Sequence, residues 1–162
     1  MENKDERLEE LIKSKNKFKL AEKCFGLGII IAGSIAIAGG GCWLGGEINS
    51  RSALNSFKSS EEYLNVIEKD MADPSKDLEE LNYILSDNYA VDILKSSSSP
   101  LKLSYENSQK LTFAGIGMYF GGFLLTMASA FLNKEMRFKA QSREKAIDSI
   151  IAEYEYTDNL SI

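Results

Sequence analysis

Two stretches of 23 residues, 24–46 (CFGLGIIIAGSIAIAGGGCWLGG) and 111–133 (LTFAGIGMYFGGFLLTMASAFLN), contain no Asp, Glu, Lys or Arg. All 19 basic and 24 acidic residues of the 162-residue chain fall outside them. A helix rises about 1.5 Å per residue, so each stretch reaches ~34 Å, enough to cross the ~30 Å hydrocarbon core of a bilayer. The pattern predicts an all-α integral membrane protein with two antiparallel transmembrane helices, and the lipid bilayer is its first expected partner. Ala36-Ile37-Ala38 has the form of a signal-peptidase site. The 23 polar residues that precede the first stretch, six of them acids, are unlike a short basic leader, so the helix is expected to be retained.

Basic residues near the membrane ends set the orientation. Residues 10–24 hold five lysines and residues 133–147 hold five Lys or Arg, against four in the two ends of the intervening segment, 47–61 and 96–110. Both termini are therefore expected in the cytoplasm and residues 47–110 outside, in a cell (inner) membrane. That segment carries 12 acids and 7 bases, so it holds the whole net charge of −5.

The domain reading follows: a cytoplasmic helical arm over 1–23, spans over 24–46 and 111–133, an acidic helical loop over 47–110 and a second cytoplasmic arm over 134–162. All twelve glycines lie inside the apolar stretches and both prolines, Pro74 and Pro100, in the loop. Nothing interrupts the arms, and Leu8, Leu11, Ile12 and Phe18 in the first, with Ile147, Ile150, Ile151 and Tyr154 in the second, repeat at helical spacing. Each arm is read as a continuation of its membrane helix, the two pairing as a hairpin. In the loop, Leu54, Phe57, Leu64, Ile67 and Met71 line one helical face and Leu78, Leu81, Leu85, Tyr89 and Ile93 another. Asp73-Pro74 reads as the start of the second helix, with Asp73 as N-cap. Leu101 to Tyr105 alternates as a short strand does.

Catalytic chemistry is poorly provided for. The chain has no histidine, and its two cysteines, Cys24 and Cys42, stand 18 residues apart on one helix, ~27 Å along the axis. General acid–base catalysis most often uses imidazole, and structural zinc needs clustered Cys or His. No enzyme activity, cofactor, metal, nucleic acid or small-molecule substrate is expected. Neither apolar stretch holds Asp, Glu, Lys, Arg or His, which argues against a coupled transporter or pump. Ser34, Thr112, Thr126 and Ser129 could line a pore, but hydroxyls bonded back to their own helix are the simpler reading.

The candidate sites are therefore packing and docking surfaces. Gly28, Ala32, Ala36 and Gly40 recur at four-residue spacing on the first span, and Gly117 and Gly121 on the second. Small residues so placed let helix backbones approach closely in lipid, where no hydrophobic drive brings helices together. Leu54, Phe57, Leu64, Ile67, Leu78, Leu81, Leu85 and Tyr89 are the candidate docking residues of the external hairpin. Together these features imply a non-enzymatic membrane interaction protein, a self-associating or accessory subunit whose partner is another copy or another membrane protein. The alternatives are a holin-like pore and an immunity or superinfection-exclusion protein.

Overall fold

The computed structural model describes the backbone of residues 4–159 and side chains over 6–153. It is all helical, with five helices and no strand among the described residues: α1 (Lys4–Lys58), α2 (Glu61–Met71), α3 (Leu78–Ile84), α4 (Asp87–Ser96) and α5 (Pro100–Asn159). α1 and α5 are each long and apolar enough to cross a membrane. The chain forms two compact units, one of residues 1–36 with 120–162, the other of residues 37–119.

Over the described residues both arms are helical without a break, as expected of sequence free of Gly and Pro. In the first unit Ala140 and Ile147 are buried one heptad apart, and Lys15 Nζ lies 2.6 Å from Glu144 Oε1, with Lys19 Nζ 3.7 Å from the same oxygen. The Asn133 side-chain amide donates to the Glu22 carbonyl at 2.6 Å, tying α5 to the backbone of α1 where the two apolar stretches end. The side chain of Tyr154 lies outside the described residues.

In the second unit the two long helices run further than the apolar windows. α1 ends at Lys58, twelve residues beyond Gly46, and α5 begins at Pro100, eleven before Leu111. Three short helices close the gap where a two-helix hairpin was expected. The first expected loop helix is broken after Phe57: Leu54 and Phe57 belong to α1, and Ser60 starts α2 by accepting the Tyr63 amide on its hydroxyl at 3.3 Å. The second is broken after Leu85, where Ser86 caps α4 in the same way through the Tyr89 amide.

Two local expectations are corrected. Asp73 is not an N-cap: its carboxylate accepts from the Ser75 amide at 3.0 Å and the Ser75 hydroxyl at 2.7 Å, a turn closed on itself. α3 instead starts after Asp77, whose carboxylate accepts the Glu79 and Glu80 amides at 2.9 Å each, while Glu80 reaches back to the Asp77 amide at 3.4 Å. This reciprocal box satisfies more of the helix's orphan donors than Asp73 can. Leu101 to Tyr105 is helix, not strand. Ser99 precedes α5, its hydroxyl accepting the Leu101 amide at 3.3 Å, and Pro100 opens it at the position where a missing N–H costs nothing. Leu101 and Tyr105, four apart on one helix face, pack against the core of the short helices while Leu103 stays exposed.

That core is Leu54, Phe57, Tyr63, Ala90 and Leu94, with Ile67, Val91 and Ile93 at its margin. Phe57 is fully buried, and its ring sits 5.6 Å from that of Tyr63. Polar ties complete the unit. Tyr89 donates its hydroxyl proton to Asp70 and Tyr83 to Asp92, Lys76 lies 3.3 Å from Asp70, and Lys58 reaches Asp87 at 2.6 Å.

Candidate functional site

The sequence offers two surfaces, the small-residue faces of the apolar stretches and the apolar faces of the external helices. Within the second unit, Gly39 and Gly46 of α1 meet Gly115, Thr112 and Ser108 of α5 at backbone distance. A Cβ on Gly39 would lie 2.8 Å from the Gly115 carbonyl oxygen, and one on Gly115 would lie 2.7 Å from the Gly39 carbonyl oxygen and nearer still to the Trp43 amide. A Cβ on Gly46 would lie 2.7 Å from both the Ser108 carbonyl and the Thr112 amide. No real Cβ comes within 3.0 Å of its neighbours, so these positions admit only glycine at this spacing. Trp43 packs its ring 6.1 Å from that of Tyr119, beside the glycine contact.

Within the first unit the contact is made by Ala32 and Ala36 of α1 against Gly122 of α5. A Cβ on Gly122 would lie 2.6 Å from the Ala36 amide and 2.8 Å from the Ala32 carbonyl. Gly28 sits beside Ser129, where a Cβ would stand 3.2 Å from the hydroxyl oxygen.

The contact residues on α5, Ser108, Thr112, Gly115, Tyr119 and Gly122, alternate steps of four and three. On α1, Ala32, Ala36, Gly39, Trp43 and Gly46 do the same. The reason is helical phase. Steps of four advance the face by about 40° each, so a strict four-residue stripe winds away from a partner, whereas a 3.5-residue average stays on it. Of the sequence candidates, Ala32 and Ala36 therefore lie at the contact, and Gly28 and Gly40 lie at its margin, Gly40 at ordinary van der Waals distance from the Tyr119 ring. Gly117 and Gly121 face open space, and their place is taken by Gly115 and Gly122, which stand seven residues apart and off the four-residue repeat.

The docking candidates divide in the same manner. Leu54, Phe57 and Ile67 are core or packed against it, and Leu81 and Tyr89 are half-buried, so none of these five is a free surface. Leu64, Leu78 and Leu85 are 51%, 75% and 59% exposed. Leu78, the first residue of α3, and Leu85, its C-cap, stand seven residues apart and so share one face.

The outward faces of the apolar stretches are exposed: Ile37 at 80%, Phe113 at 70% and Phe131 at 70% stand for a belt of Leu, Ile, Phe and Met on both helices. Ser34, Thr112 and Thr126 donate their hydroxyl protons to carbonyls four residues back, at 2.9, 3.0 and 2.8 Å.

Three carboxylates and two phenols outside the stretches titrate away from their usual values. The hydrogen bond from Lys58, then its charge, holds Asp87 below the ordinary carboxylate value, and the hydroxyl and amide of Ser75 do so for Asp73. Lys15, then Lys19, lowers Glu144. The bond to Asp92 raises Tyr83, and burial raises Tyr105 with help from Glu47. Among the described residues, no group of His, Cys, Asp or Glu is placed to hold a metal ion. Comparison with protein-family models, curated proteins and solved structures finds no match to this chain.

Proposed function

We propose that this chain is a two-pass membrane interaction protein, an accessory or self-associating subunit without catalytic activity, with both termini cytoplasmic and residues 37–119 ending in an external docking cap. One observation carries the reading. The charge-free stretches meet through Ala32, Ala36, Gly39, Gly46, Gly115 and Gly122 and leave their large apolar residues exposed, which is the arrangement lipid requires and water penalises. The ten-to-four distribution of basic residues supports the orientation.

The cap supports the docking role. A loop that merely joins two spans needs no buried aromatic core, three capped helices and exposed leucines at 64, 78 and 85. A pore draws no support from the spans: the hydroxyls of Ser34, Thr112 and Thr126 are turned back onto their own helices.

The test uses two fusions and one double variant. A reporter active only outside the cytoplasm should work within residues 75–76, at the α2–α3 turn, and fail at either terminus; the reverse result overturns the orientation. Leu78→Ser with Leu85→Ser should leave the chain membrane-bound and folded, because both side chains are exposed, yet release whatever membrane protein or second copy co-purifies with the parent in mild detergent. Retention of the same companion by the double variant would remove the docking role from α3.

A further inference from the structure

Where the second apolar stretch meets the cap, a cleft of about 360 Å³ is lined by Lys95 of α4 and by Tyr105, Glu106, Gln109, Lys110 and Phe113 of α5. We infer that this cleft binds the headgroup of a phospholipid bearing a primary amine, a phosphoethanolamine ester. The inference rests on the membrane reading above, though not on which side of the membrane the termini occupy.

Depth is the first argument. A bilayer of ~40–45 Å with a hydrocarbon core of ~30 Å leaves a polar layer of ~5–8 Å on each side. Lys110 immediately precedes the charge-free stretch and Glu106 stands four residues further out, so at 1.5 Å per residue they lie ~1.5 and ~7.5 Å beyond Leu111. Phe113 lies two residues inside the stretch and is 70% exposed. The lining thus runs through the polar layer from its inner edge to its outer one, and Tyr105, packed against the core of the cap, closes it above. Lys95, Lys110 and Phe113 are exposed, so the cleft opens outward, and what stands outside a span at that depth is a lipid headgroup.

Charge is the second. Lys95, Glu106 and Lys110 make no ion pair among the described residues. Glu106 and Lys110 stand at the four-residue spacing that favours pairing, yet both face the cleft unpaired. The carboxylate of Glu47, which acts on Tyr105, is already held by Arg51 at 2.8 Å. Lys95 is brought to the cleft from a second helix, which the fully buried Leu94 anchors to the core. Two cations and one half-buried carboxylate match a group with a phosphate at one end and an ammonium at the other. Lys110, next to the hydrocarbon, and Lys95 take the phosphate, and Gln109 between them can donate its amide N–H groups to the ester oxygens. Glu106, further out, accepts from the ammonium. That is the order of the lipid itself, whose phosphate adjoins the glycerol and whose amine lies beyond it.

The ring is the third. Phe113 carries the wall of the cleft down into the exposed apolar belt, where an acyl chain continues from the headgroup. A free phosphoethanolamine ion would use the charges and leave the ring idle. An anionic glycerol headgroup would use the lysines and leave Glu106 beside a phosphate with no cation between them.

The full-length chain in mild detergent is offered equal amounts of phosphatidylethanolamine, phosphatidylcholine and phosphatidylglycerol with matched acyl chains, and retained lipid is counted by native mass spectrometry. Phosphatidylethanolamine should exceed phosphatidylcholine about two- to fivefold, the range of a solvent-facing ion pair, because a methylated amine has no N–H to give Glu106. Glu106→Gln should bring these two lipids level. Lys110→Gln should lower retained phosphatidylethanolamine about fivefold, one cation's share near the headgroups. Lys102→Gln, on the same helix and outside the cleft, should change nothing. Equal retention of the ethanolamine and choline lipids by the parent chain overturns the site, and so does a preference for phosphatidylglycerol. A loss in Lys102→Gln equal to that in Lys110→Gln would mean diffuse attraction and overturns it too, as does displacement of the lipid by millimolar phosphorylethanolamine. Flotation with neutral vesicles tests the membrane reading separately. A chain that floats yet shows no headgroup preference sinks the cleft alone, and a chain that does not float sinks both.

Discussion

Gly39 and Gly115 occupy the space of each other's missing side chains: each would drive a Cβ to within 3 Å of the other's carbonyl oxygen. The relationship is reciprocal, so neither glycine can be replaced by repacking a neighbour. Gly115 meets only backbone, and Gly39 meets backbone together with the Cβ of Met118, an atom that no rotamer change moves.

The first expectation follows from that reciprocity. Gly115→Ala and Gly39→Ala should each cost about 1–3 kcal/mol, the range of forced overpacking. Gly117→Ala and Gly41→Ala, where a Cβ meets nothing, should be neutral or stabilise by up to ~1 kcal/mol through better helix propensity. Thermal unfolding of the purified chain in detergent ranks the four. Identical melting of the Gly115 and Gly117 variants would refute close contact at Gly115.

The external core supplies the second. Phe57→Ala removes the largest fully buried side chain and should destabilise the cap by about 3–5 kcal/mol. Limited proteolysis should then cut within residues 59–99 of membrane-embedded protein, with both apolar stretches still protected. Resistance equal to the parent would show that Phe57 is dispensable to the cap.

Acid–base behaviour of the cap is a third, and its sign can be fixed. Asp87 and Asp73 have folded values below the ordinary 3.8, so their contribution is complete above that value and is lost as pH falls through the depressed one. Tyr83 and Tyr105 have folded values above the ordinary 10.0, so theirs is complete below 10.0 and is lost as pH rises through the elevated one. With no histidine in the chain, cap stability should be flat between these limits. Tyr83→Phe should shrink the alkaline fall and Lys58→Gln the acid one. A transition centred near pH 6.5 in amide exchange of the cap would contradict this assignment.

Pairing of the arms gives the fourth. A carbodiimide, which condenses an amine with a carboxylate without a spacer, should link Lys15 to Glu144 within one chain, since the two groups lie 2.6 Å apart. Crosslinks found only between chains would mean that each arm pairs with another copy.

The two long apolar helices were legible because absence of charge over 23 residues is a strong signal, and their helical extensions because nothing in them breaks a helix. The contact face was half legible. Ala32 and Ala36 stand on it under either a four-residue or a 3.5-residue period, but Gly39, Gly115 and Gly122 are distinguished from Gly40, Gly117 and Gly121 only by the phase of a neighbouring helix, which one helix's sequence does not contain. The external segment was misread where local signals competed. Asp73-Pro74 has the form of a helix start, yet Asp77 with Glu80 makes a better one four residues later. Leu54 and Phe57 were assigned to a docking face because a helical stripe does not say whether it faces inward or outward. Tyr63, Ala90 and Leu94 close over Phe57 from two other helices, a non-local arrangement that periodicity does not encode.

The glycine and alanine contacts also bear on how the chain assembles. Gly39, Gly46, Gly115, Gly122, Ala32 and Ala36 have no rotamers, so bringing these surfaces together freezes no side-chain torsion, whereas each leucine in their place would give up about 0.5–1 kcal/mol of rotamer freedom. The backbone freedom that makes glycine costly is already gone once each helix has formed, before the helices meet. Association of α1 with α5 through these six residues therefore orders no side chain, and along the contact only residues such as Ser108, Thr112, Tyr119 and Trp43 are left to settle into a rotamer.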